Sequence, residues 1–312
     1  MTSQRSGRQA AVLVTILVAA ACRGAEAPAI GAHPLPADHA AQVQAWRDKH
    51  DRDYRRDWVS IANLHFLENG SHTVGSDAGN AIVVPHVPPL IGTLVVAVGK
   101  VTFEPKAGVA ISQGDQPVTS TVVLRGGETR PRELVVGKVR LEIHESGKRY
   151  SLRVRDPDGE WAQKFLGFSW FPIDASYRVV GRFIRDPEPK KLSVLNTFED
   201  EDTYTTEGVV EFTLHGQTLR LRPFTTRPKR FYFVFRDASG GHETYKTARF
   251  LYADLLDDGA AVLDFNEAYN PPCAFNPYTT CPIPLRENIL PVKVLAGEKA
   301  YPVEVALPSV GR

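Results

Sequence analysis

Methionine occurs once in the 312-residue chain and cysteine three times. Neither a Met-rich adaptable surface nor a cysteine-dense secreted scaffold can be built from so few. Charge of one sign is equally scarce: 37 Lys and Arg residues offset 36 Asp and Glu, leaving a formal charge of +1. With no basic run, the electrostatic footprint of a nucleic-acid partner is missing. Histidine appears nine times but never as HxH or HExxH, so no metal site is expected. No GxSxG elbow supplies a hydrolase serine, no Gly-rich loop cradles phosphate, and no cofactor is implied.

Long hydrophobic runs are absent except for Ala11–Ala20 (AVLVTILVAA), which is too short to span a bilayer as a mature helix. Arg5 and Arg8 precede it, and Ala19-Ala20-Ala21-Cys22 follows. This is the pattern of a secretory signal with a lipobox-like end, although Ala19 stands where leucine is usual. Lipidation of Cys22 would make the membrane a partner through a lipid anchor. The expected location is exported, periplasmic or cell-surface, and membrane-anchored. A plain signal peptide cut near Ala21 or Ala27 is the alternative. The Ala-, Pro- and Gly-rich stretch 23–38 is expected to be a flexible tether.

What is present in quantity is pattern. Between Asp38 and Trp58 the residues Val43, Trp46, His50, Tyr54 and Trp58 recur at spacings of three and four. This predicts one amphipathic helix with an aromatic packing face. From residue 60 the period becomes two. Thr93–Phe103 with a break at Gly99, Val118–Leu124, and the alternation Val139, Leu141, Ile143 read as strands. The last returns through Gly147 into Tyr150, Leu152, Val154 as a hairpin with one buried face. Val209–Leu214 with Leu219–Leu221, and Phe231–Phe235 with Thr244–Tyr252, predict two more hairpins. Val292–Leu295 and Val303–Val305 read as closing strands. The fold class is therefore mainly β, with antiparallel sandwich- or barrel-like sheets in two halves and one N-terminal helix. Asp156-Pro157-Asp158-Gly159 and Asp186-Pro187-Glu188-Pro189 bracket a soft boundary. The expected division is a signal over 1–22, a tether over 23–38, the helix with an N-terminal β-rich half over 39–165, and a C-terminal β-rich half over 166–312. A single continuous β-domain fits nearly as well.

The C-terminal text RDASGGHETYKTARFLYADL (Arg236–Leu255) and LDFNEAYNPPCAFNPYTTCPIPLRENILPVKVLAGEKAY (Leu263–Tyr301) resembles a bacterial and archaeal family, domain of unknown function 1684. The likeness reaches back through the 139–155 hairpin and Asn63–Asp77 to about Trp46. It implies a domain identity and no activity.

Five prolines between residues 271 and 284 make that segment a rigid irregular loop, because proline has no amide proton for a ladder. Its polar groups suit a neutral or sugar-like ligand. The expected ligand-binding residues are Arg236, Arg249, Asn266, Tyr269, Asn270, Asn276 and Tyr278. Cys273 and Cys281 are left as a pair once Cys22 carries lipid, and form a disulfide candidate clipping the loop; a free or redox-active thiol pair, or a metal site, are the other readings. Asp264 and Glu267 are candidate catalytic carboxylates for acid–base work, with ion pairs and turn caps as the plainer reading. The leading functional expectation is a small-molecule or glycan binder with its site beside the 266–281 loop. A carboxylate-dependent hydrolase, and a structural envelope lipoprotein without a ligand, are the alternatives.

Overall fold

The computed structural model describes residues 30–125 and 133–306. The expected signal segment, Cys22 and most of the expected tether lie outside the described residues. Among the described residues, four open sheets make up the β structure, and each draws its strands from one side of residues 156–177. On the N-terminal side, a six-stranded sheet runs in the order Ile61–Leu67, Arg149–Arg155, Val139–Ser146, Leu134–Val136, Ser112–Gln113, Gln116–Pro117. It faces a five-stranded sheet ordered Ile82–Val83, Gly70–Gly75, Gly92–Ala97, Lys100–Pro105, Val122–Arg125. Val74, Leu94 and Phe103 of one sheet and Leu141 and Leu152 of the other share one apolar core. Pairing is antiparallel throughout, except between Gly70–Gly75 and Ile82–Val83.

The C-terminal side repeats this layout. A four-stranded sheet (Gln217–Leu221, Glu201–Leu214, Arg178–Leu195, Ala260–Asp264) packs on a three-stranded one (Phe224–Arg227, Arg230–Phe235, Arg249–Asp254). Phe212, Phe231, Phe233, Phe235 and Leu263 fill the space between them. Burial alternates along Glu201–Leu214, whereas Arg230–Phe235 is buried on both faces. The hydrophobic drive of apolar burial thus falls on one face of the outer strand and on both faces of the inner one. Asp186-Pro187-Glu188-Pro189 does not end a strand. The ladder steps from Arg185 opposite Gly208 to Lys190 opposite Thr206, and the intervening residues bulge out where proline cannot donate.

The three predicted hairpins form, the third with its second strand at Arg249–Asp254. The 139–155 hairpin has no exposed face of the expected kind. Arg153 and Arg155 are only 5% and 7% exposed, because Trp58 covers the first and the Asp57 carbonyl, Glu133 and Glu142 bind the second. The run 118–124 becomes a strand only at Val122–Arg125, after the two-residue strand Gln116–Pro117. The expected closing strands at 292–295 and 303–305 do not form. At Val294 the N–H donates to Asp237 Oδ1 and the carbonyl accepts from Arg249, so side chains do what a ladder would.

Helix α1 (His39–Tyr54) continues as a π-turn over Arg55–Val59. Although it precedes the N-terminal sheets in sequence, it packs on the C-terminal side. Arg47 Nη1 donates to the Phe171 carbonyl at 3.1 Å and Nη2 to the Asn266 carbonyl at 3.2 Å. Tyr54 OH donates to the Asn270 carbonyl at 3.2 Å. The end of the expected tether is docked too: Gly31 N–H and His33 Nε2 both meet Asp258 Oδ2, at 2.7 and 2.8 Å. No helix among the described residues is long and apolar enough to cross a membrane.

Candidate functional site

The aromatic stripe of helix α1 meets three other elements around a cavity of about 530 Å³. Trp46, His50 and Tyr54, spaced by four, stack down the helix with ring centroids 5.0 and 4.3 Å apart. Opposite them, Tyr232 and Tyr252 stand directly across from one another in the strand register and stack at 4.9 Å. Tyr204 enters from Glu201–Leu214, and Tyr269, Pro272, Cys281 and Pro282 of the proline-rich loop close the cavity. The rim carries Thr226, Thr280 and the Lys49–Asp53 ion pair.

Burial sets the protonation states in this cavity. It depresses the His50 pKa to about 4, so the ring is neutral at pH 7. His50 Nε2 has no hydrogen-bond partner among the described residues. Burial also raises the Tyr54, Tyr232 and Tyr269 phenols well above their ordinary range. The walls therefore offer uncharged aromatic faces with a few hydroxyl and imidazole groups at their edges.

Of the seven expected ligand residues, Tyr269 alone lines this cavity. Asn266, Asn270 and Asn276 are fully buried, and each donates from its amide to a backbone carbonyl. Asn266 exchanges hydrogen bonds with Asp174 N–H (2.9 Å) and carbonyl (2.8 Å). Asn270 Nδ2 donates to the Lys299 carbonyl, and Asn276 Nδ2 to those of Trp58 and Ile61. In a loop poor in ladder bonds, these amides stand in for the absent strand partner. Arg249 is 1% exposed and pairs with Asp237 in the core. Arg236 is exposed, its backbone bonded to Asn288 and Leu290. Tyr278 faces a different cavity, where its ring meets Trp161.

Cys273 and Cys281 are buried free thiols and not the expected disulfide. The short turn Pro272–Ala274 aims the Cys273 N–H at Cys281 Sγ, 3.3 Å away. The Tyr245 hydroxyl and Thr279 Oγ1 each lie 3.8 Å from one of the sulfurs. Burial pushes the Cys273 thiol up, which keeps it protonated.

The carboxylates Asp264 and Glu267 line an adjoining cavity of about 280 Å³ with His39, Arg178, Arg230 and Asp254, and Tyr252 belongs to both walls. Asp264 is fully engaged. Its Oδ2 lies 2.5 Å from His39 Nε2, and its Oδ1 accepts from Asn266 N–H and Nδ2 at 3.1 and 2.8 Å. Burial, helped by the Asp264 charge, raises Glu267 to about 7. Among the described residues, no group of three or more His, Cys, Asp or Glu side chains is arranged to hold a metal ion.

Tyr204, Tyr232 and Tyr252 are not among the expected ligand residues, and Trp46, His50 and Tyr54 are expected only to pack. The available signal was the placement of two tyrosines, 232 and 252, at matching points of one hairpin, because opposed aromatics on a strand pair form a platform.

A family model described as protein of unknown function, DUF1684, matches residues 163–299. That span takes in the strands and loop around the aromatic cavity and begins after helix α1, so it is narrower than the resemblance traced from Trp46. The solution NMR structure of an uncharacterized protein from Haloarcula marismortui is 31% identical with a TM-score of 0.38, over 45% of this chain and 80% of that one. No curated protein matches the chain.

Proposed function

We propose, for a chain that belongs to the DUF1684 family through residues 163–299, that it is an exported protein, lipid-anchored at Cys22, that binds a neutral sugar-like small molecule in the aromatic cavity beside the 266–281 loop. The observation carrying this reading is the cavity itself: Trp46, Tyr54, Tyr232, Tyr252 and Tyr269 set flat apolar faces around about 530 Å³. A sugar ring presents C–H faces for such rings and hydroxyls for the phenols, Thr226, Thr280 and the unpartnered His50 nitrogen.

Thermal unfolding of the full chain with a panel of mono- and oligosaccharides tests the binding. A ligand at about 100 times its Kd adds about 2.7 kcal/mol, which raises the melting temperature by roughly 5–10 °C. Trp46→Ala is expected to weaken that ligand at least tenfold, since a buried aromatic anchor is worth on the order of 2 kcal/mol. If no sugar shifts either the melting temperature or tryptophan emission, the binding reading fails and the structural envelope scaffold takes its place.

The anchor is tested separately. Cys22→Ala should move the protein from the membrane pellet to the soluble fraction of fractionated cells and abolish incorporation of a labelled fatty acid. Retention in the pellet by this variant contradicts the anchor.

A further inference from the structure

Away from the aromatic cavity, a smaller hollow of about 370 Å³ lies between Val83–His86, Asp156–Trp161 and Tyr278. At its edge His86 Nδ1 lies 2.6 Å from Asp156 Oδ2. The histidine side chain is 57% exposed and the aspartate 3%. Asp156 is fixed in place: its Oδ1 accepts from Asp158 N–H at 2.9 Å, and its own N–H donates to the Ser60 carbonyl at 2.7 Å. His86 sits at φ 61°, in the left-handed region that is uncommon for a residue with a side chain. A buried carboxylate on Nδ1 selects the tautomer whose Nε2 carries the lone pair, which is the arrangement a general base needs. None of this pair takes part in the sugar cavity.

We infer that His86, oriented by Asp156, is the general base of a second site that hydrolyses small uncharged esters bearing a flat apolar group. Charge selects the substrate. Among the described residues the hollow's charged lining is Asp156 and Glu160, the latter paired with Lys164, with no Lys or Arg in the wall itself, which disfavours anions. Trp161 and Tyr278, with centroids 6.3 Å apart in an edge-to-face arrangement, supply the aromatic wall, and Val83, Pro85 and Val154 the remaining apolar surface. Water is the nucleophile. His86 Nε2 takes its proton as the water oxygen bonds to the acyl carbon. The resulting imidazolium is held by the Asp156 carboxylate and returns the proton to the departing alkoxide. One ester and one water become one acid and one alcohol, and the imidazole ends neutral. Asp156 acts through His86 and is a positioning residue.

The test uses the full chain with 4-nitrophenyl acetate, and 4-nitrophenyl phosphate as the anionic counterpart. Turnover of the acetate at least 100-fold above free imidazole at equal concentration is expected, with no cleavage of the phosphate. His86→Asn tolerates the left-handed backbone and lacks the base. It should lower kcat by about 100-fold or more with an unchanged melting temperature. Asp156→Asn should lower kcat by about tenfold and leave KM unchanged, because the imidazole loses the acceptor that orients it while the pocket wall stays intact. Trp161→Ala should raise KM and spare kcat. Should His86→Asn fail to fold, carbethoxylation of the wild-type protein replaces it: loss of turnover tracking modification at His86, reversed by hydroxylamine, supports the base. Turnover no better than imidazole, a folded His86→Asn variant with unchanged kcat, inactivation that does not track His86, or preferential cleavage of the phosphate each overturns the inference. Sugar binding at the aromatic cavity is read independently and survives any of these.

Discussion

Replacing Arg249 by methionine should lower the melting temperature of the full chain by roughly 10 °C. The guanidinium is fully enclosed: Nη1 donates to Asp237 Oδ2 at 3.1 Å and to the Val294 carbonyl at 2.9 Å, and Nη2 donates to the Ala296 carbonyl. Removing it leaves a buried carboxylate without its counter-charge and orphans two carbonyls in the segment that has no ladder of its own. Breaking one side of a buried pair costs about 3–5 kcal/mol, and each kcal/mol moves the melting temperature by about 2–4 °C for a chain of 150–250 residues. Asp237 retains bonds from Ser239 N–H at 2.8 Å and Val294 N–H at 3.1 Å. The double variant with Asp237→Asn should therefore fall by less than the sum of the two single losses. A loss of less than about 2 °C in Arg249→Met would show that the 290–297 segment is held by something else. Gly297 belongs to the same arrangement. It has φ +76°, and a Cβ there would lie 2.2 Å from the Ala268 carbonyl oxygen and 2.8 Å from Arg249 Nη2.

Stability should be greatest on a plateau between about pH 4.5 and 6.5 and should fall on both sides. Burial raises Glu298 from 4.5 to about 8, outweighing the Asn270 N–H bond that favours its charged form. The folded protein therefore holds a proton that the unfolded chain has released, and the stability Glu298 contributes below pH 4.5 is lost as the pH rises through about 8. Glu267, raised to about 7, acts in the same direction. His50 and His144 act in the opposite one. Burial lowers them from 6.5 to about 4 and about 3, so their contribution is complete above pH 6.5 and is lost as the pH falls through those values. Between pH 4.5 and 6.5 the two carboxyls and two imidazoles roughly cancel. Above 6.5 the carboxyls act alone. From there to pH 8 Glu298 removes about 2 kcal/mol, at about 1.4 kcal/mol per unit. Thermal melts across this range should show the alkaline fall, and Glu298→Gln, which keeps an acceptor for Asn270, should flatten most of it. An alkaline limb that is the same in this variant would rule out Glu298 as its source.

Period alone made much of the fold legible. Trp46, His50, Tyr54 and Trp58 announced the helix, and Val139–Ser146 with Arg149–Arg155 announced a hairpin, because both regularities follow from which side of an element meets apolar neighbours. Which partner the helix chooses was not legible. Its rings meet Phe168, Trp170, Tyr269 and Phe275, far along the chain, and nothing in a local window encodes that. The polar loop misled in a definite way. Asn266, Asn270 and Asn276 resembled ligand contacts by composition, yet a stretch broken by prolines leaves carbonyls that something must satisfy, and these amides do so from inside. Arg249 looked like a ligand contact, but its guanidinium is spent on the protein's own Asp237. Tyr269 faces the cavity because it is bridged to Phe250 through backbone bonds at the end of the sheet.

Two of the bonds fastening helix α1 join residues 219 and 216 positions apart. During synthesis the helix emerges first, with its row of rings bare, while the wall it will cover has yet to be made. Closure must wait for almost the entire chain. Any product stopped before residue 269 lacks the Tyr269 ring on which Trp46, His50 and Tyr54 pack and the fastening carbonyl of Asn270. Only synthesis past Pro282, the last residue of the cavity wall, decides whether a cavity exists at all.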